Sequence, residues 1–214
     1  MNRDSAFYAS TGDYTTTSYS MAGDDESMSR DRVPPGQKAT TRFPVLHEGS
    51  VPPIDLSRWD LVVDGAVKNS LRFSWKELKS LPSVKVVSDF HCVTGWSRLD
   101  NEWEGVRFSA IVKMCEPRPE AISVLINAEG GYTTSLLLTE LLDDDVLLAF
   151  SFNGTPLEAD HGGPLRLVVP KKYAYKSAKW VRKITFMTKH ELGYWEVRGY
   201  SDSADPWKEE RYSR

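Results

Sequence analysis

The residue with the clearest potential for chemistry is Cys92, which lies at the end of a β-branched segment. The surrounding sequence, Phe90–Ser97, reads FHCVTGWS, so a short loop containing glycine follows the thiol. A thiolate at the end of a strand can serve as a soft metal ligand or as a nucleophile. A free cysteine is also commonly a small buried apolar residue, and the segment alone leaves both interpretations open. No second cysteine or histidine pair lies at zinc spacing, which argues against a tetrahedral zinc site.

A second segment with potential for chemistry is Asp160–Pro170, which reads DHGGPLRLVVP. Its two glycines expose backbone N–H groups, and His161 and Arg166 flank them. Such a loop can hold a phosphate through backbone donors and a guanidinium fork. The alternative is a surface hairpin with solvated charges, which is the ordinary fate of a basic stretch. Four lysines follow the arginine within a short span: Lys171, Lys172, Lys176 and Lys179.

The elements that must position these residues are short strands and short helices. The β-branched run 84–93 predicts a strand that leads to Cys92, and 165–169 predicts the strand that carries Arg166. Ser74 and Glu77 have the spacing of a capping box, which predicts a helix ending near Ser80. Asn153-Gly154 is the strongest hairpin turn signal in the chain. We therefore predict the α+β class, a mixed and β-rich fold with short helices.

Composition divides the chain into a tail and one domain. Residues 1–36 are polar, show no apolar period and are predicted to be a disordered tail. Residues 37–214 are predicted to form the folded domain. Its aromatic end, from Glu191 onward, is too apolar to stay in water and should pack back on the domain.

The overall balance of charge and hydrophobicity excludes several kinds of partner. Among 214 residues the formal net charge is −3, which does not favour nucleic acid or an anionic membrane. No apolar run approaches the roughly 20 residues of a membrane helix. The first forty residues show neither a secretory signal nor a twin-arginine pair, so we expect a cytoplasmic protein. Two cysteines cannot build a disulfide framework.

Taken together, the two segments resemble a known family. Cys92 with its short polar loop, and the histidine-glycine-x-proline-x-arginine element at 161–166, are similar to the molybdopterin-binding domain of sulfite oxidase, plant nitrate reductase and the catalytic subunit of methionine sulfoxide reductase. Further matches are Trp103–Val106, Tyr173–Trp180 and the closing aromatic segments, so the resemblance runs from about Phe43 to Tyr212. It implies the sulfite oxidase-type fold and a molybdenum–molybdopterin cofactor (Mo-MPT).

The resemblance also implies residue roles. Cys92 is the molybdenum ligand, and Tyr132 and Arg98 complete the expected catalytic group. With His91, Tyr132 and Arg98 are the candidates for steering substrate or a proton. The cofactor-binding residues that it implies are His47, His91, Thr133, His161, Arg166, Lys176, Ser177, Ala178 and Lys179.

One departure from the family pattern bears on the substrate. Sulfite oxidases carry arginines just after the cysteine loop, where this chain has Trp96 and Ser97, with Arg98 shifted by one. This difference favours the sulfoxide reductase branch over sulfite oxidation. No haem attachment motif is present, so electrons should come from or go to an external protein partner.

The resemblance implies a molybdenum–pterin oxidoreductase that moves an oxygen atom, with two electrons, to or from a small sulfite- or sulfoxide-type substrate. The alternative is a carrier that binds molybdopterin without catalysis. A third possibility, a β-rich interaction domain without a cofactor, has no use for the combination of Cys92 and the glycine loop.

Overall fold

A six-stranded β-sheet carries the cysteine segment. The computed structural model describes residues 31–213 of the chain. Its first sheet consists of β1 (Lys38–Ala39), β4 (Val84–Cys92), β5 (Trp96–Arg107), β8 (Leu147–Phe152), β9 (Thr155–Pro156) and β10 (Arg166–Val168). The order is β1-β5-β8-β10, with β4 also paired to β5 and β9 to β8. All pairs are antiparallel except β1 with β5.

A five-stranded sheet forms the second layer. Its strands are β2 (Asp60–Gly65), β3 (Leu71–Ser74), β6 (Ser123–Ala128), β7 (Thr133–Leu137) and β11 (Val181–Met187). The order is β3-β2-β11-β6-β7, and only β2 with β11 is parallel. The observed class is therefore the β-rich α+β fold that the sequence predicts.

Two short α-helices accompany the sheets in the described part of the chain. The first, α1 (Trp75–Ser80), begins at the predicted capping box, in which the Ser74 hydroxyl accepts from the Glu77 N–H and the Glu77 carboxylate accepts from the Ser74 N–H. The second, α2 (Phe108–Cys115), ends at Glu116 in the left-handed conformation. Five 3-10 turns complete the described residues: Glu129–Gly131, Leu138–Leu142, Ala159–His161, Ala174–Lys176 and Glu196–Arg198.

The main core contains apolar residues of both sheets and of both helices. Leu61, Ile126, Val106 and Ile111 are fully buried there. A smaller cluster contains Phe90, Trp103, Leu147, Ala149, Leu157 and Val168, with Phe43 and Trp96 packed against it. Burial of such side chains contributes roughly 1.5–3 kcal/mol each. The smaller cluster matters for function because it surrounds the strand ends that carry Cys92 and Arg166.

Residues just before the predicted boundary at residue 37 make contacts with the domain. Arg32 forms ion pairs with Asp89 (2.5 Å) and Asp100 (2.6 Å), and Pro34 is buried. These ion pairs join residues far apart in the sequence, so no local sequence pattern predicts them. Composition alone therefore assigned Arg32 to the tail. Residues 1–30 of the predicted tail lie outside the described residues.

Within residues 31–213, no helix has the length and apolar character needed to cross a membrane.

Candidate functional site

Cys92 lies at the tip of the hairpin that joins β4 to β5. The Gly95 N–H donates to the Cys92 carbonyl at 3.0 Å, and Gly95 has a φ of 96°, which only glycine adopts without strain. The Cys92 Sγ lies 3.1 Å from the Thr94 Oγ1, and Cys92 is 7% exposed. The hairpin therefore places the thiol at a fixed position, accessible over only a small part of its surface.

A cavity of about 260 Å³ opens beside this thiol. Its walls are largely aromatic, and its polar groups are few. Flat aromatic walls with a small number of placed polar groups are typical of a site for a cofactor or small ligand. The lining residues are Phe43, Pro44, Leu46, His47, Glu48, Phe90, Cys92, Val93, Thr94, Trp96, Tyr132, Arg166, Ala174, Tyr175, Ser177, Ala178, Lys179, Trp180, Trp195 and Tyr200.

Arg166 is the dominant charge on the cavity wall. It is 3% exposed, and its Nη1 donates to the His161 carbonyl at 2.9 Å. The guanidinium lies 4.8 Å from the ring centre of Phe90, so part of its surroundings is apolar. Burial lowers the pKa of Arg166 to about 10, while the nearby Cys92 thiol acts in the opposite direction. The Nε of Arg166 is buried and has no hydrogen-bond partner among the described residues.

Lys179 adds a second cation to the same cavity. Burial, and then the positive charge of Arg166, lower the pKa of Lys179 to about 7. Its Nζ donates to the Asp160 carbonyl at 2.5 Å. Burying two cations close together is energetically unfavourable, and an anion bound between or beside them would stabilise both.

Tyr132 and Tyr175 add two further polar side chains to the cavity lining. The Tyr132 hydroxyl donates to the Tyr175 carbonyl at 2.5 Å, and the Tyr175 hydroxyl donates to the Ser201 carbonyl at 2.5 Å. Burial, followed by the negative charge of Glu196, raises the pKa of both tyrosines. Both side chains therefore remain neutral donors at physiological pH.

The structure brings together seven of the residues that the sequence proposes for the site. They are separated by as many as 132 positions along the chain, yet they line one cavity. The seven are His47, Cys92, Tyr132, Arg166, Ser177, Ala178 and Lys179.

Arg98 and His91 do not line the cavity, contrary to their predicted steering role. Arg98 hydrogen-bonds to the Asn101 side chain and, at 3.3 Å, to the Thr41 carbonyl. The His91 Nδ1 lies 2.8 Å from the Ser97 Oγ, and burial lowers the pKa of its imidazole. Side chains alternate between the faces of a strand, so His91, next to Cys92, points away from the cavity.

Thr133 and His161 are also absent from the lining of this cavity. Thr133 lies on β7, and its carbonyl accepts from the Tyr194 N–H at 2.9 Å. The His161 ring stacks on Phe43 with ring centres 4.3 Å apart and lines a neighbouring cavity of about 250 Å³. His161 therefore contributes to the site through its backbone carbonyl, which holds Arg166.

Lys176 differs most from its predicted role as a cofactor ligand. Its ammonium is buried and bonded to Glu196 at 2.6 Å, to Asp202 at 3.1 Å and to the Ser135 carbonyl at 2.8 Å. The three acceptors use all three of its protons, so none is left for a ligand.

The aromatic walls are the part of the site that the residue-by-residue assignment missed. Trp195 and Tyr200 come from the C-terminal segment, whereas Phe43 precedes β2 and Phe90 lies on β4. The only available signal was the apolar character of the segment after Glu191, which predicted packing on the domain but not a place at the cavity.

The donor set fits a molybdopterin cofactor. Cys92 offers one soft thiolate, which suits molybdenum bound to dithiolene sulfurs. The unpaired Nε of Arg166 and the ammonium of Lys179 suit the anionic phosphate, and the aromatic walls suit the flat pterin. Cys115 does not suit a role as a metal ligand, because it is fully buried in the core and burial raises the pKa of its thiol to about 11.

The comparison with known families decides the assignment. Residues 48–195 match the family described as the oxidoreductase molybdopterin binding domain. The chain belongs to this family of molybdopterin-dependent oxidoreductases. Its cofactor is molybdenum bound to molybdopterin, as the sequence resemblance implies.

Two curated relatives show how much of the chain the similarity covers. The uncharacterized oxidoreductase YuiH of Bacillus subtilis is 46% identical over 183 residues, which are 85% of this chain and 92% of that protein. A putative protein-methionine-sulfoxide reductase subunit, YedZ1 of Azospira oryzae, is 30% identical over 148 residues, which are 69% of this chain and 56% of that protein. The chain thus spans nearly all of the first relative and little more than half of the second.

A solved structure supports the fold. The sulfane dehydrogenase SoxCD from Paracoccus pantotrophus matches with a TM-score of 0.59 and 21% identity, over 85% of this chain and 57% of that one. This similarity confirms the predicted sulfite oxidase-type fold.

Proposed function

We propose that this oxidoreductase transfers an oxygen atom to or from a small sulfur-containing substrate, and that the sulfoxide type is preferred. The observation that carries the proposal is the position of the single thiol of Cys92 and the incompletely paired guanidinium of Arg166 on one cavity wall. When bound, the molybdenum–pterin cofactor supplies the two-electron oxygen-transfer chemistry.

The chain's own residues would position the cofactor and the substrate. Cys92 would bind the metal, while Arg166 and Lys179 would bind the phosphate or another anionic group. Tyr132 is held by its bond to the Tyr175 carbonyl and presents a neutral phenol to the cavity. The aromatic walls would accept an apolar substituent on the substrate sulfur. They would also exclude water, and the exclusion of water strengthens polar interactions inside the cavity.

The sulfoxide preference rests on the position of Arg98, the cation that follows the cysteine loop. A sulfite anion would need positive charge in addition to Arg166 and Lys179, which we assign to the anionic group of the cofactor, but Arg98 bonds to Thr41 and Asn101 instead of lining the cavity. The similarity to a protein named as a putative methionine-sulfoxide reductase subunit supports the same choice.

An external electron partner completes the proposal. The chain's redox chemistry needs two electrons, and the described residues contain no cluster of cysteines that could hold a second redox centre. The similarity to a protein described as a reductase subunit supports a separate partner protein. We also propose a cytoplasmic location, which the two unpaired cysteines suit. Cell fractionation would test it.

Turnover assays on protein from a host that makes molybdopterin would test the function. We expect oxidation of a reduced dye with methionine sulfoxide or dimethyl sulfoxide, and little oxidation of sulfite with ferricyanide. Cys92→Ser protein is the control for metal-dependent turnover. Efficient sulfite oxidation would reverse the substrate choice. A full complement of molybdenum without turnover of either substrate would favour the carrier.

A further inference from the structure

An ion cluster with a buried lysine–glutamate pair at its centre lies behind the cavity wall. We call Lys176, Glu196, Asp202 and His190 the Lys176 cluster. The side chains of Lys176 and Glu196 are 1% and 0% exposed and lie 2.6 Å apart. Asp202 bridges the Lys176 ammonium at 3.1 Å and the His190 Nε2 at 2.7 Å. Groups buried this completely are costly unless they are paired, so the cluster needs an explanation beyond stability alone.

The cluster joins three segments that are far apart in the sequence. Lys176 lies in the Ala174–Lys176 turn, Glu196 begins the Glu196–Arg198 turn, and the third acceptor of the lysine is the carbonyl of Ser135 on β7. Glu196 also accepts a hydrogen bond from the Thr134 hydroxyl at 2.9 Å, so the cluster is connected to β7 through both Lys176 and Glu196.

The immediate sequence neighbours of these charged residues line the cavity. Tyr175 and Ser177 flank Lys176, Trp195 precedes Glu196, and Tyr200 lies two residues before Asp202. A shift of Lys176 or Glu196 would therefore move a wall residue with it.

Two tyrosine hydroxyl bonds connect the same segments across the wall. Tyr132, just before β7, donates to the Tyr175 carbonyl, and Tyr175 donates to the Ser201 carbonyl. The cluster and these bonds thus join the same three segments. The cluster does so from behind the wall, and the tyrosine bonds do so within the wall.

We propose that the Lys176 cluster is a positioning device that sets the shape of the aromatic wall and thereby the retention of cofactor and the fit of substrate. Lys176 and Glu196 act through Tyr175, Trp195 and Tyr200, and not by contact with a ligand. Support of this kind behind a binding site limits the movement of the residues that touch the ligand. The part of the proposal that concerns cofactor retention rests on the family assignment, and the part that concerns substrate rests on the proposed function.

Three variants of the full chain, produced in a host that makes molybdopterin, separate positioning from stability. Lys176→Met leaves Glu196 unpaired in the interior and should lower both the melting temperature and the molybdopterin content. Lys176→Met/Glu196→Gln removes both charges, so the melting temperature should recover most of that loss. The affinity of the double variant for molybdopterin should remain roughly tenfold below that of wild type, which corresponds to about 1.4 kcal/mol. Its molybdopterin content per protein should stay correspondingly low. Glu140→Gln, which breaks the ion pair with Lys172, is the matched control, because the hydrogen-bond partners of Glu140, Lys172 and the Leu137 N–H, belong to residues outside the cavity lining.

Wild-type molybdopterin content in the double variant would overturn the proposal, as would an equal loss in the Glu140→Gln control. Asp202→Asn removes only the partly exposed carboxylate charge of the cluster, which pairs with Lys176 and does not line the cavity, and it decides the matter if the double variant does not fold. We expect lower retention in that variant, and full retention would reject the proposal.

Substrate kinetics give an independent readout. In variants that retain cofactor, KM for the sulfoxide should rise more than kcat per molybdenum falls, because the wall and not the metal ligand has changed. If the wild type reduces no sulfoxide, the proposed function fails, while the molybdopterin contents still decide whether the cluster positions the wall.

Discussion

Arg166 donates one hydrogen bond to the His161 carbonyl at 2.9 Å and leaves its buried Nε without an acceptor among the described residues. Arg166 is only 3% exposed, and a buried guanidinium with an unused donor destabilises the protein when no ligand is bound. An anionic ligand in the adjacent cavity would provide the missing acceptor.

Replacing Arg166 should therefore reduce cofactor binding. A charge-assisted hydrogen bond to an anion contributes about 1.5–3 kcal/mol, so Arg166→Ala should lose roughly tenfold or more in cofactor affinity. Arg166→Lys should recover the loss only in part, because an ammonium cannot reproduce the planar fork. Molybdenum and pterin per protein, measured beside wild type, check both variants. Equal occupancy in Arg166→Ala would exclude a role for this residue in holding the anion.

Cys92 and Cys115 should respond differently to the same substitution. Cys92→Ser replaces the soft thiol on the cavity wall with a hard hydroxyl, so turnover should be abolished while the circular dichroism spectrum is unchanged. Cys115→Ser should retain activity per folded protein and lose some stability, because this thiol is fully buried in the apolar core. Wild-type turnover in Cys92→Ser protein would show that the metal ligand has been misassigned.

Lys179 should give the cofactor-free protein a distinct pH dependence. Its pKa is about 7 in the folded protein, against about 10.4 in an unfolded chain. Between these values the unfolded state binds the proton and the folded state does not, so stability rises with pH from about 7 to about 10. The melting temperature of wild type minus that of Lys179→Met should rise over this interval.

Binding of the anionic cofactor should weaken this pH dependence. An anion beside Lys179 favours its charged form and raises its pKa, so the cofactor-loaded protein should show a smaller rise than the cofactor-free protein. A flat difference between wild type and Lys179→Met in the cofactor-free protein would show that the lysine titrates normally.

The N-terminal segment should divide at Arg32. Deleting residues 1–30 should leave the melting temperature and molybdenum content nearly unchanged, because this polar sequence has no apolar period with which to bury surface. Deleting residues 1–36 should lower the melting temperature, since it also removes the Arg32 ion pairs and the buried Pro34. Thermal melts of the two truncated proteins side by side check the boundary, and a large loss in the shorter deletion would contradict it.

Local patterns in the sequence predicted much of the secondary structure. The capping box of Ser74 and Glu77 and the Asn153-Gly154 hairpin turn are both present, because each depends on hydrogen bonds and dihedral angles within a few residues. The long strand β5 had no such signal. The consecutive polar residues Asp100, Asn101 and Glu102 break the alternating pattern, and pairing with β4 and β8 decides the conformation of the strand.

Residue types and their spacing were enough to predict the chemistry available to the site: one thiol after a strand, an arginine after two glycines, and a family pattern that joins them. A soft ligand and a guanidinium keep their chemistry in any fold. The packing of distant segments determines which side chains face the cavity. It turned Arg98 and His91 away, placed Lys176 in an ion cluster behind the wall, and brought Trp195 and Tyr200 to the front. Such choices depend on contacts between segments up to 175 positions apart, such as that between Arg211 and Gly36, and no local pattern records them.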